Sequence, residues 1–457
     1  MKRSPAFTAL KLAGFTVIAF AGGVCGSLAR SPGAQATTQD ENPYAATMQL
    51  GRVLVQIENN YVEPVDRAKL VNGAIKGMVE ELDPHSNYLP PKEYSDFQED
   101  TEGKFAGIGI EVDARNEMIT VIAPIEGSPA ERAGLKSGDR IVAIDGEIIQ
   151  VVALDKLVKK MRGVPGSHVK LTVKRVGARD LITFDLVREV VHVPSVASKL
   201  LTGNIAYIRI KQFQDHTHDE LLRAAAKVRT GVSGPLNGVI LDLRNNPGGL
   251  VDEAAEVADE FLASGTIYTT RHRGVVVDEV KARHGGAFSD LPVVMLVNQY
   301  SASASELVAG ALQDQNRALA LGTNTFGKGS VQSIIPLPNG AGLKMTTARY
   351  YTPSGHSIQA DGIHPDVNLD PTKTDANTLP PLRERDLEGH LPAEGIQGVD
   401  LPAQDAGIAT FGGDAGTQVE ADARTMPSDP MQGQDYQLRA GYKLMREKLV
   451  GHGPKVK

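Results

Sequence analysis

A strand that breaks into a turn of small residues and then into a helix is the most constraining feature of this sequence. Residues 293–297 read V-V-M-L-V, small hydroxyl residues follow, and apolar residues then recur at helical spacing, at Leu307, Val308, Ala311 and Leu312. Such a turn holds a small side chain at the end of a rigid strand, beside the unpaired N–H groups of the new helix. The segment therefore predicts a nucleophile placed where an anion can form.

Lys328, between Gly327 and Gly329, is the candidate base for a nucleophile at Ser303. A serine hydroxyl attacks when a neighbouring group takes its proton, and a lysine does this only when it is neutral. Free lysine has a pKa of about 10.4, which full burial can lower by about 3 to 5 units. Gln332 could orient such a lysine without adding a negative charge. Spacing alone does not choose among the three serines of the turn, Ser301, Ser303 and Ser305.

Residues 191–372 alternate apolar strands with helices, which predicts an α/β core whose sheet is buried on both faces. Gly248 and Gly249 follow one of these strands and precede a helix, the same place that the serine turn occupies. We expect the two turns to meet at one edge of the sheet. Because glycine lets backbone N–H groups approach a substrate closely, the pair predicts an oxyanion hole. A simple helix-entry turn is the alternative.

Residues 100–190 have the pattern of a small, mostly-β domain. Short strands flank the run S-P-A-E-R-A-G-L-K-S-G-D-R-I-V-A-I-D-G at 128–146, and a helix is predicted over 154–161. This order resembles a PDZ domain of the permuted bacterial kind. The resemblance implies that a peptide C-terminus is added to a sheet edge, with its carboxylate on the backbone N–H groups of one loop. That loop is formed by Gly107, Ile108, Gly109 and Ile110, and a glycine-permitted bulge is the alternative.

The first 36 residues look like a secretory signal peptide. Lys2, Arg3 and Lys11 precede an apolar stretch that ends in small residues with the sequence Ala-Gln-Ala. An uncleaved anchor is the alternative, since an apolar stretch of about 17 residues is at the short limit for crossing a bilayer. The only cysteine, Cys25, lies inside this segment, so the exported chain would form no disulfide. The expected location is the periplasm, either free or anchored in the inner membrane.

The regions on either side of these domains differ in composition. Residues 43–99 predict a helical N-terminal region with a proline-marked joint, which could form a homodimer contact or pack on the core. Residues 373–457 are rich in small and polar residues and predict a low-complexity, largely disordered tail, with a helix over 434–450. The formal net charge of −7 gives no reason to expect nucleic acid as a partner.

Several motifs together resemble the carboxyl-terminal processing proteases, also called tail-specific proteases. Besides the signal segment and the PDZ-like domain, they are D-L-R-N-N-P-G-G at 242–249, S-A-S-A-S-E at 301–306, T-F-G-K-G-S-V-Q at 325–332 and Y-T-P-S-G-H-S-I-Q-A-D-G-I-H-P-D at 351–366. The family fold implies a crotonase-like core related to the Clp proteases. The family activity implies an endopeptidase that acts on protein or peptide substrates with free C-termini, uses no metal or organic cofactor, and can work with an adaptor protein.

The resemblance also assigns roles to single residues. It implies Ser303 as the nucleophile, Lys328 as the base and Gln332 as the support of the lysine. The oxyanion hole would be formed by the backbone N–H groups of Gly249, or Gly248, and of Ala304. Arg162, in the turn after the PDZ helix, is a candidate sensor of bound peptide, with an ordinary surface arginine as the alternative.

Three alternative functions compete with this interpretation of the sequence. The spacing G-x-x-x-x-G-K at 322–328 fits a P-loop, which would continue with Ser or Thr and a helix, whereas Gly329 and a strand-like run follow here. A metalloprotease would carry an H-E-x-x-H helix, which the sequence lacks. A non-catalytic, secreted PDZ scaffold is the third alternative. Against it stands the occurrence of a serine turn, a Gly-Gly turn and a glycine-flanked lysine in one domain.

Overall fold

The structure is a computed structural model that describes residues 44–115, 118–149, 154–369, 382–394, 423 and 426–449. The chain divides into two compact units, Met1–Val71 and Asn72–Lys457. The signal segment predicted at residues 1–36 lies outside the described residues. Among the described helices, none combines the length and the apolar character needed to cross a membrane.

The described part of the first unit, residues 44–71, is mostly helical. It contains α1 (Ala45–Asn60) and the start of α2 (Arg67–Glu80), joined by a short connection in which the Arg67 guanidinium donates to Glu58 at 2.5 and 2.6 Å. No side chain of α1 is buried, and about half of the surface of its apolar residues Met48, Leu50, Val53 and Val55 is exposed. The helical N-terminal region is confirmed, and its apolar face is open.

The second unit begins with β1 (Asn87–Leu89) and α3 (Pro91–Thr101) and continues into the mostly-β domain. The elements of this domain are β2 (Lys104–Gly107), β3 (Ile110–Arg115), β4 (Met118–Pro124), α4 (Pro129–Arg132), β5 (Arg140–Ile144), β6 (Glu147–Ile148), α5 (Leu154–Met161), β7 (His168–Lys174), β8 (Ile182–Val187) and β9 (Glu189–His192). The strands form an antiparallel sheet in the order β3-β4-β5-β7-β8, with β6 on β5, and β2 pairs separately with β9. Along strands such as β7, buried and exposed residues alternate, because one face of the sheet packs on the core and the other faces water.

The remaining strands and helices form the core of the second unit. Its elements are β10 (Val196–Leu201), β11 (Ile205–Ile210), α6 (Thr217–Thr230), β12 (Gly238–Asp242), α7 (Val251–Asp259), β13 (Thr266–His272), β14 (Val275–Lys281), β15 (Val293–Val297), α8 (Ala304–Asp314), β16 (Ala318–Gly322), β17 (Ser330–Pro336), β18 (Gly342–Tyr351) and β19 (Val367–Asn368). One sheet has the order β10-β11-β12-β15-β16-β19 and is parallel except between β10 and β11. A second, antiparallel sheet has the order β1-β18-β13-β14, with β17 on β18.

Both faces of the parallel sheet are covered, which is why β12 and β15 are buried along their whole length; β15 is apolar throughout, and β12 is apolar except for Asp242 at its end. Helices α6, α7 and α8 cover one face and share a core with it. The other face is covered by the C-terminal residues 426–449, which contain α9 (Tyr436–Leu444) and a π-helical turn (Met445–Leu449). The predicted α/β core, with its inserted mostly-β domain, is confirmed.

The prediction of a largely disordered tail over 373–457 is wrong for residues 382–394, whereas the helix predicted within that tail is confirmed. Residues 382–394 pack on the core around a 3-10 turn (Glu384–Asp386), and the helix predicted over 434–450 is present as α9, with Leu438 and Tyr442 buried. Composition misled for residues 382–394 because this segment holds few large apolar residues and is bound to the core through buried hydrogen bonds. The rest of the tail lies outside the described residues.

Candidate active site

Ser303 occupies a strained turn between β15 and α8. Its φ of 57° and ψ of −117° lie outside the regions that serine ordinarily adopts, and the helix begins at the next residue. Such a conformation costs on the order of 1–3 kcal/mol and persists only where the surroundings impose it. One restraint is Glu306, whose carboxylate accepts a hydrogen bond of 2.8 Å from the Ser303 N–H group. The predicted strand, tight turn and helix are confirmed.

Hydrogen bonding separates the three serines of this turn. Ser301 is fully buried, and its hydroxyl donates to the carbonyl of Leu243 at 2.8 Å. Ser305 is also fully buried, and its hydroxyl donates to the carbonyl of Asn246 at 2.8 Å. Ser303 is only partly buried, and its hydroxyl donates to no group in the described part of the chain. Ser303 is therefore the one serine of the turn whose hydroxyl is available for chemistry.

The Gly-Gly turn lies directly against the serine turn. A Cβ atom on Gly248 would be 2.9 Å from Ser303 Cβ and 2.7 Å from the carbonyl oxygen of Ala302. A Cβ atom on Gly249 would be 1.9 Å from the carbonyl oxygen of Phe213, and both glycines have positive φ. The two turns thus meet at one edge of the sheet, as predicted, and both positions require glycine.

The two glycine N–H groups differ in availability. The N–H group of Gly248 donates to Asn246 Oδ1 at 2.9 Å, so it is already engaged. The N–H groups of Gly249 and Ala304 find no acceptor among the described residues. Of the alternatives named from the sequence, Gly249 and Ala304 are thus the pair of donors free to bind an oxyanion.

Asn246 is a site residue that the sequence analysis missed. It is fully buried, its carbonyl accepts from the Ala302 N–H group at 3.0 Å, and its side chain donates to the carbonyl of Ile210 at 3.0 Å. Together with its bonds to Gly248 and Ser305, these contacts fix the Gly-Gly turn against the serine turn. The available signal was an asparagine directly before Pro-Gly-Gly, after a buried strand.

Lys328 lies in the loop that leads into β17, and its side chain is largely buried. Burial, reinforced by the neighbouring charge of Lys344, lowers the pKa of Lys328 to about 8, while Glu384, Glu306 and Asp83 act in the opposite direction. Near neutral pH an appreciable fraction of this lysine is consequently uncharged, as a general base requires. The prediction that burial desolvates Lys328 agrees with this setting.

Glu306 joins the serine turn to the loop that carries Lys328, residues 323–329 between β16 and β17, here called the lysine loop. Its Oε2 accepts from the N–H groups of Ser303 at 2.8 Å and Lys328 at 2.9 Å, and its Oε1 accepts from Thr325 Oγ1 at 2.5 Å and the Gly327 N–H group at 2.7 Å. Burial raises the pKa of Glu306 to about 7 despite these four donors. This role was missed from the sequence, although a glutamate three residues after a turn serine is a capping-box signal.

Gln332 lies on β17 at a register shift against β18. Its Nε2 donates to Ser330 Oγ at 2.9 Å and to Thr346 Oγ1 at 3.2 Å. Within the described part of the chain, no hydrogen bond links the Lys328 side chain to Gln332 or to Ser303. The structure thus brings the three residues into one region, with the lysine side chain not engaged by either predicted partner.

The predicted peptide-binding loop of the mostly-β domain follows β2. Gly109 has a φ of 76° and lies against Ser128, whose hydroxyl donates to its carbonyl at 2.9 Å, while the side chain of Ile108 is buried. The N–H groups of Ile108 and Gly109 make no hydrogen bond to described residues. They are therefore free for a carboxylate. Arg162 lies over the ring of Phe105, with its guanidinium carbon 5.1 Å from the ring centroid, near the start of this loop.

The P-loop alternative is contradicted by the structure. A P-loop lysine precedes a helix, whereas β17 begins two residues after Lys328. The N–H groups of Gly327 and Lys328, which would cradle a phosphate, point instead at the Glu306 carboxylate. Among the described residues, no group of three or more His, Cys, Asp or Glu side chains is arranged to hold a metal ion.

Comparison with known proteins agrees with this arrangement. Three family models match the chain: Peptidase family S41 at residues 204–369, PDZ domain at 120–175, and Activating protease CtpB N-terminal domain at 26–92. A carboxy-terminal-processing protease of Bartonella bacilliformis is 39% identical over 419 residues, which cover 91% of each chain. A probable CtpA-like serine protease of Staphylococcus aureus is 40% identical over 328 residues, which cover 71% of this chain and 65% of the relative.

A solved structure of the photosystem II D1 C-terminal processing protease is 31% identical, covers 70% of this chain and 86% of that chain, and superposes with a TM-score of 0.42. Taken with the sequence relatives, the fold and the site define a serine endopeptidase that carries a PDZ domain. The chain belongs to the family of carboxy-terminal-processing proteases. The alternative of a non-catalytic scaffold is therefore wrong.

Proposed function

We propose that this protein is an exported endopeptidase that captures substrate C-termini through its PDZ domain and cuts them with Ser303 as the nucleophile and Lys328 as the base. One observation carries the proposal. A single oxygen of Glu306 accepts the backbone N–H groups of both Ser303 and Lys328, at 2.8 and 2.9 Å. The nucleophile and its base thus share one buried anchor.

The chemistry follows from this placement. Neutral Lys328 takes the proton of the Ser303 hydroxyl as the oxygen attacks the substrate carbonyl, and the N–H groups of Gly249 and Ala304 bind the oxyanion. The lysine then gives the proton to the leaving amine, which leaves an acyl-enzyme. Water, activated by the same lysine, releases the product and restores the serine.

Two features support alignment of the dyad when substrate binds. Among the described residues, the Ser303 hydroxyl has no acceptor and the Gln332 amide oxygen has no donor, so each is free to engage the lysine. Catalytic hydrogen bonds are often long in substrate-free enzymes and shorten only in the complex. We propose that Gln332 orients Lys328 at that stage.

The dyad is tested by cleavage of an unfolded reporter with an apolar C-terminus. Ser303→Ala and Lys328→Ala are each expected to reduce kcat by at least ~10³-fold, because nucleophile and base act as a unit. Ser305→Ala is the comparison variant: it removes a structural hydroxyl from the same turn and is expected to lower kcat far less than loss of the nucleophile or the base. Cleavage at the wild-type rate by either of the first two variants would exclude the Ser/Lys assignment.

Recognition of C-termini is tested with a pair of peptides that differ only in a free or an amidated C-terminal carboxylate. The free N–H groups of Ile108 and Gly109 support tighter binding of the free acid, so the amidated peptide is expected to show the higher KM. Equal values for the two peptides would remove the PDZ recognition step. Arg162→Ala distinguishes a sensor, whose loss changes kcat, from a surface arginine, whose loss changes neither constant.

Export, assembly and partners are proposals of a different kind. N-terminal sequencing of the protein recovered from the periplasm is expected to show cleavage after Ala36, and an intact N-terminus in the membrane fraction would indicate an anchor instead.

The open apolar face of α1 supports a homodimer through the N-terminal helices. Mass measurement in solution is expected to give a dimer that becomes a monomer when residues 37–71 are removed. An adaptor would be found as a protein that copurifies and raises kcat.

A further inference from the structure

The lysine loop is held on its second side by residues 382–394, a segment beyond the part of the chain that matches the peptidase family model. The Arg383 guanidinium donates to the carbonyl of Thr325 at 2.7 Å. The Glu384 N–H group donates to the carbonyl of Phe326 at 3.1 Å. These bonds fix the peptide groups that lead into Lys328.

The peptide group on the far side of Lys328 is tied to the same segment through Gln359. The Gly329 N–H group donates to Gln359 Oε1 at 3.0 Å, and Gln359 Nε2 donates to Glu384 Oε1 at 2.9 Å. Both Gln359 and Glu384 are fully buried. A Cβ atom on Gly329 would be 2.4 Å from the Gln359 nitrogen, so the loop and this glutamine are in close contact.

The second oxygen of Glu384 faces His85. Glu384 Oε2 lies 2.7 Å from His85 Nε2, and the His85 side chain is 17% exposed. His85 belongs to the turn after α2, where Asp83 Oδ1 accepts its N–H group at 2.9 Å. The histidine therefore joins the carboxylate to a turn that is remote in sequence and reaches solvent.

The charges around Lys328 come from four different elements. Lys344 lies on β18, Glu306 on α8, Asp83 in the turn after α2 and Glu384 in the segment 382–394. Although burial opposes its charge, hydrogen bonds from His85 and Gln359 lower the pKa of Glu384, so this carboxylate is negative at neutral pH. Of these residues, Glu384 is linked to the loop on both sides of Lys328, through its own N–H group at Phe326 and through Gln359 at Gly329.

We propose that Glu384 is a positioning residue for the general base: it fixes the lysine loop through Gln359 and keeps a negative charge, held by His85, beside Lys328. The inference rests on the proposed Ser303–Lys328 mechanism and adds to it a residue with no contact to substrate. Its consequence is a defined operating pH, because the negative charge stabilises the ammonium form and delays its deprotonation to higher pH.

The test is the pH dependence of kcat/KM between pH 6 and 10 for the wild type, Glu384→Gln and Glu388→Gln. Glutamine keeps the shape of the side chain and can still accept from Gln359, but it removes the charge. We expect the rising limb of Glu384→Gln to move to lower pH by on the order of one unit. Glu388 is exposed on the same segment, so Glu388→Gln is the matched control and should keep the wild-type midpoint.

An unchanged midpoint in Glu384→Gln, whatever its kcat, would overturn the proposal, because a residue that only supports the fold changes the rate without moving the titration. Lys328→Ala separates this failure from failure of the mechanism. If Lys328→Ala retains full activity, the proposed dyad is wrong. If it is inactive and Glu384→Gln keeps the wild-type midpoint, only the role of Glu384 is wrong.

A second pair of variants tests the same link without changing a fully buried residue. His85→Leu cannot donate to Glu384, whereas His85→Gln can. We expect His85→Leu to lower kcat by about tenfold at unchanged KM, as small misplacements of catalytic groups do, and His85→Gln to restore most of the rate. Equal kcat values for the two variants would contradict the proposal and would indicate that His85 only fills space.

Discussion

The lysine loop is held between two buried glutamates that differ in charge state. Glu306, at the start of α8, accepts only from neutral donors, the Thr325 hydroxyl and three backbone N–H groups, and burial raises its pKa to about 7. Glu384, in the segment 382–394, is also fully buried, but His85 and Gln359 lower its pKa. Burial raises the pKa of both carboxylates; at Glu306 only neutral donors oppose it, whereas at Glu384 the His85 and Lys328 side chains also favour the charged form. Glu306 acts as a shared acceptor, and Glu384 acts as a fixed charge.

Removal of the shared acceptor should have the larger effect on rate. Glu306→Ala leaves the N–H groups of Ser303, Gly327 and Lys328 without an acceptor and frees both the serine turn and the lysine loop. We expect kcat to fall by at least ~10²-fold, the effect of misplacing catalytic groups by about 1 Å. Glu306→Gln keeps one accepting oxygen and should fall between the wild type and the alanine variant. Steady-state kinetics on folded protein would measure this, and a kcat within threefold of wild type in Glu306→Ala would show that the anchor is dispensable.

The next largest expected effect is the change of the wild-type kcat/KM with pH. Because a base must be neutral to act, kcat/KM should rise about tenfold per pH unit below the Lys328 pKa of about 8 and level off above it. Protonation of Glu306 below its pKa of about 7 removes part of its capacity to accept hydrogen bonds, which should steepen the fall on the acid side. A pH–rate profile with a peptide substrate measures both effects.

Lys344→Met tests the effect of a neighbouring positive charge on Lys328, as Glu384→Gln tests the effect of a negative one. Lys344 lowers the pKa of Lys328, so its removal should raise that pKa and move the midpoint to higher pH, opposite to the shift expected for Glu384→Gln. Shifts of the two variants in the same direction would contradict the assignment of Lys328 as the titrating base.

A substitution in the other C-terminal segment, residues 426–449, is expected to change the reaction rate less and to lower the stability clearly. Asp435 accepts two hydrogen bonds from the buried Arg244 guanidinium, at 2.9 and 2.8 Å, and Arg244 also pairs with Asp242. Asp435→Asn should lower the free energy of unfolding by about 1.5–3 kcal/mol, the value of a hydrogen bond to a charged group, and leave kcat within a few-fold. Chemical denaturation measures this change.

Asp429→Asn is the matched control for that variant. Asp429 lies in the same segment and caps a helical turn by accepting from the Met431 N–H group at 3.1 Å. This hydrogen bond is exposed, and Asp429 has no buried arginine partner among the described residues. Equal losses of stability in the two variants would show that the buried ion pair contributes nothing specific.

Local sequence patterns predicted the strands, turns and helix of the site better than they predicted its hydrogen bonds. Apolar strands followed by small residues placed β12, β15 and α8, and the Gly-Gly turn and the serine turn were correctly expected at one sheet edge. The choice of Ser303 over its neighbours came from family resemblance. In the structure it has a physical reason, because the hydroxyls of Ser301 and Ser305 hold backbone carbonyls. No spacing rule records which hydroxyl is already engaged.

The C-terminal region shows the opposite case. Its composition predicted a largely disordered tail with one helix, yet residues 382–394 hold the lysine loop, and the predicted helix belongs to a segment, 426–449, that covers a face of the central sheet. Composition reports how much apolar surface a segment carries, whereas order depends on whether the rest of the fold offers a matching open surface.

The sequence by itself determined the α/β alternation, the two domains, the serine turn and the glycine-flanked lysine, because these depend on periodicity and on conformations that few residues can adopt. Only the tertiary structure decided that the Gly248 N–H group is engaged, that Glu306 anchors both Ser303 and Lys328, and that Glu384 meets His85. The last two residues are 299 positions apart in the chain. Hydrogen bonds and charge pairs between such distant segments arise from packing, which local sequence preferences do not encode.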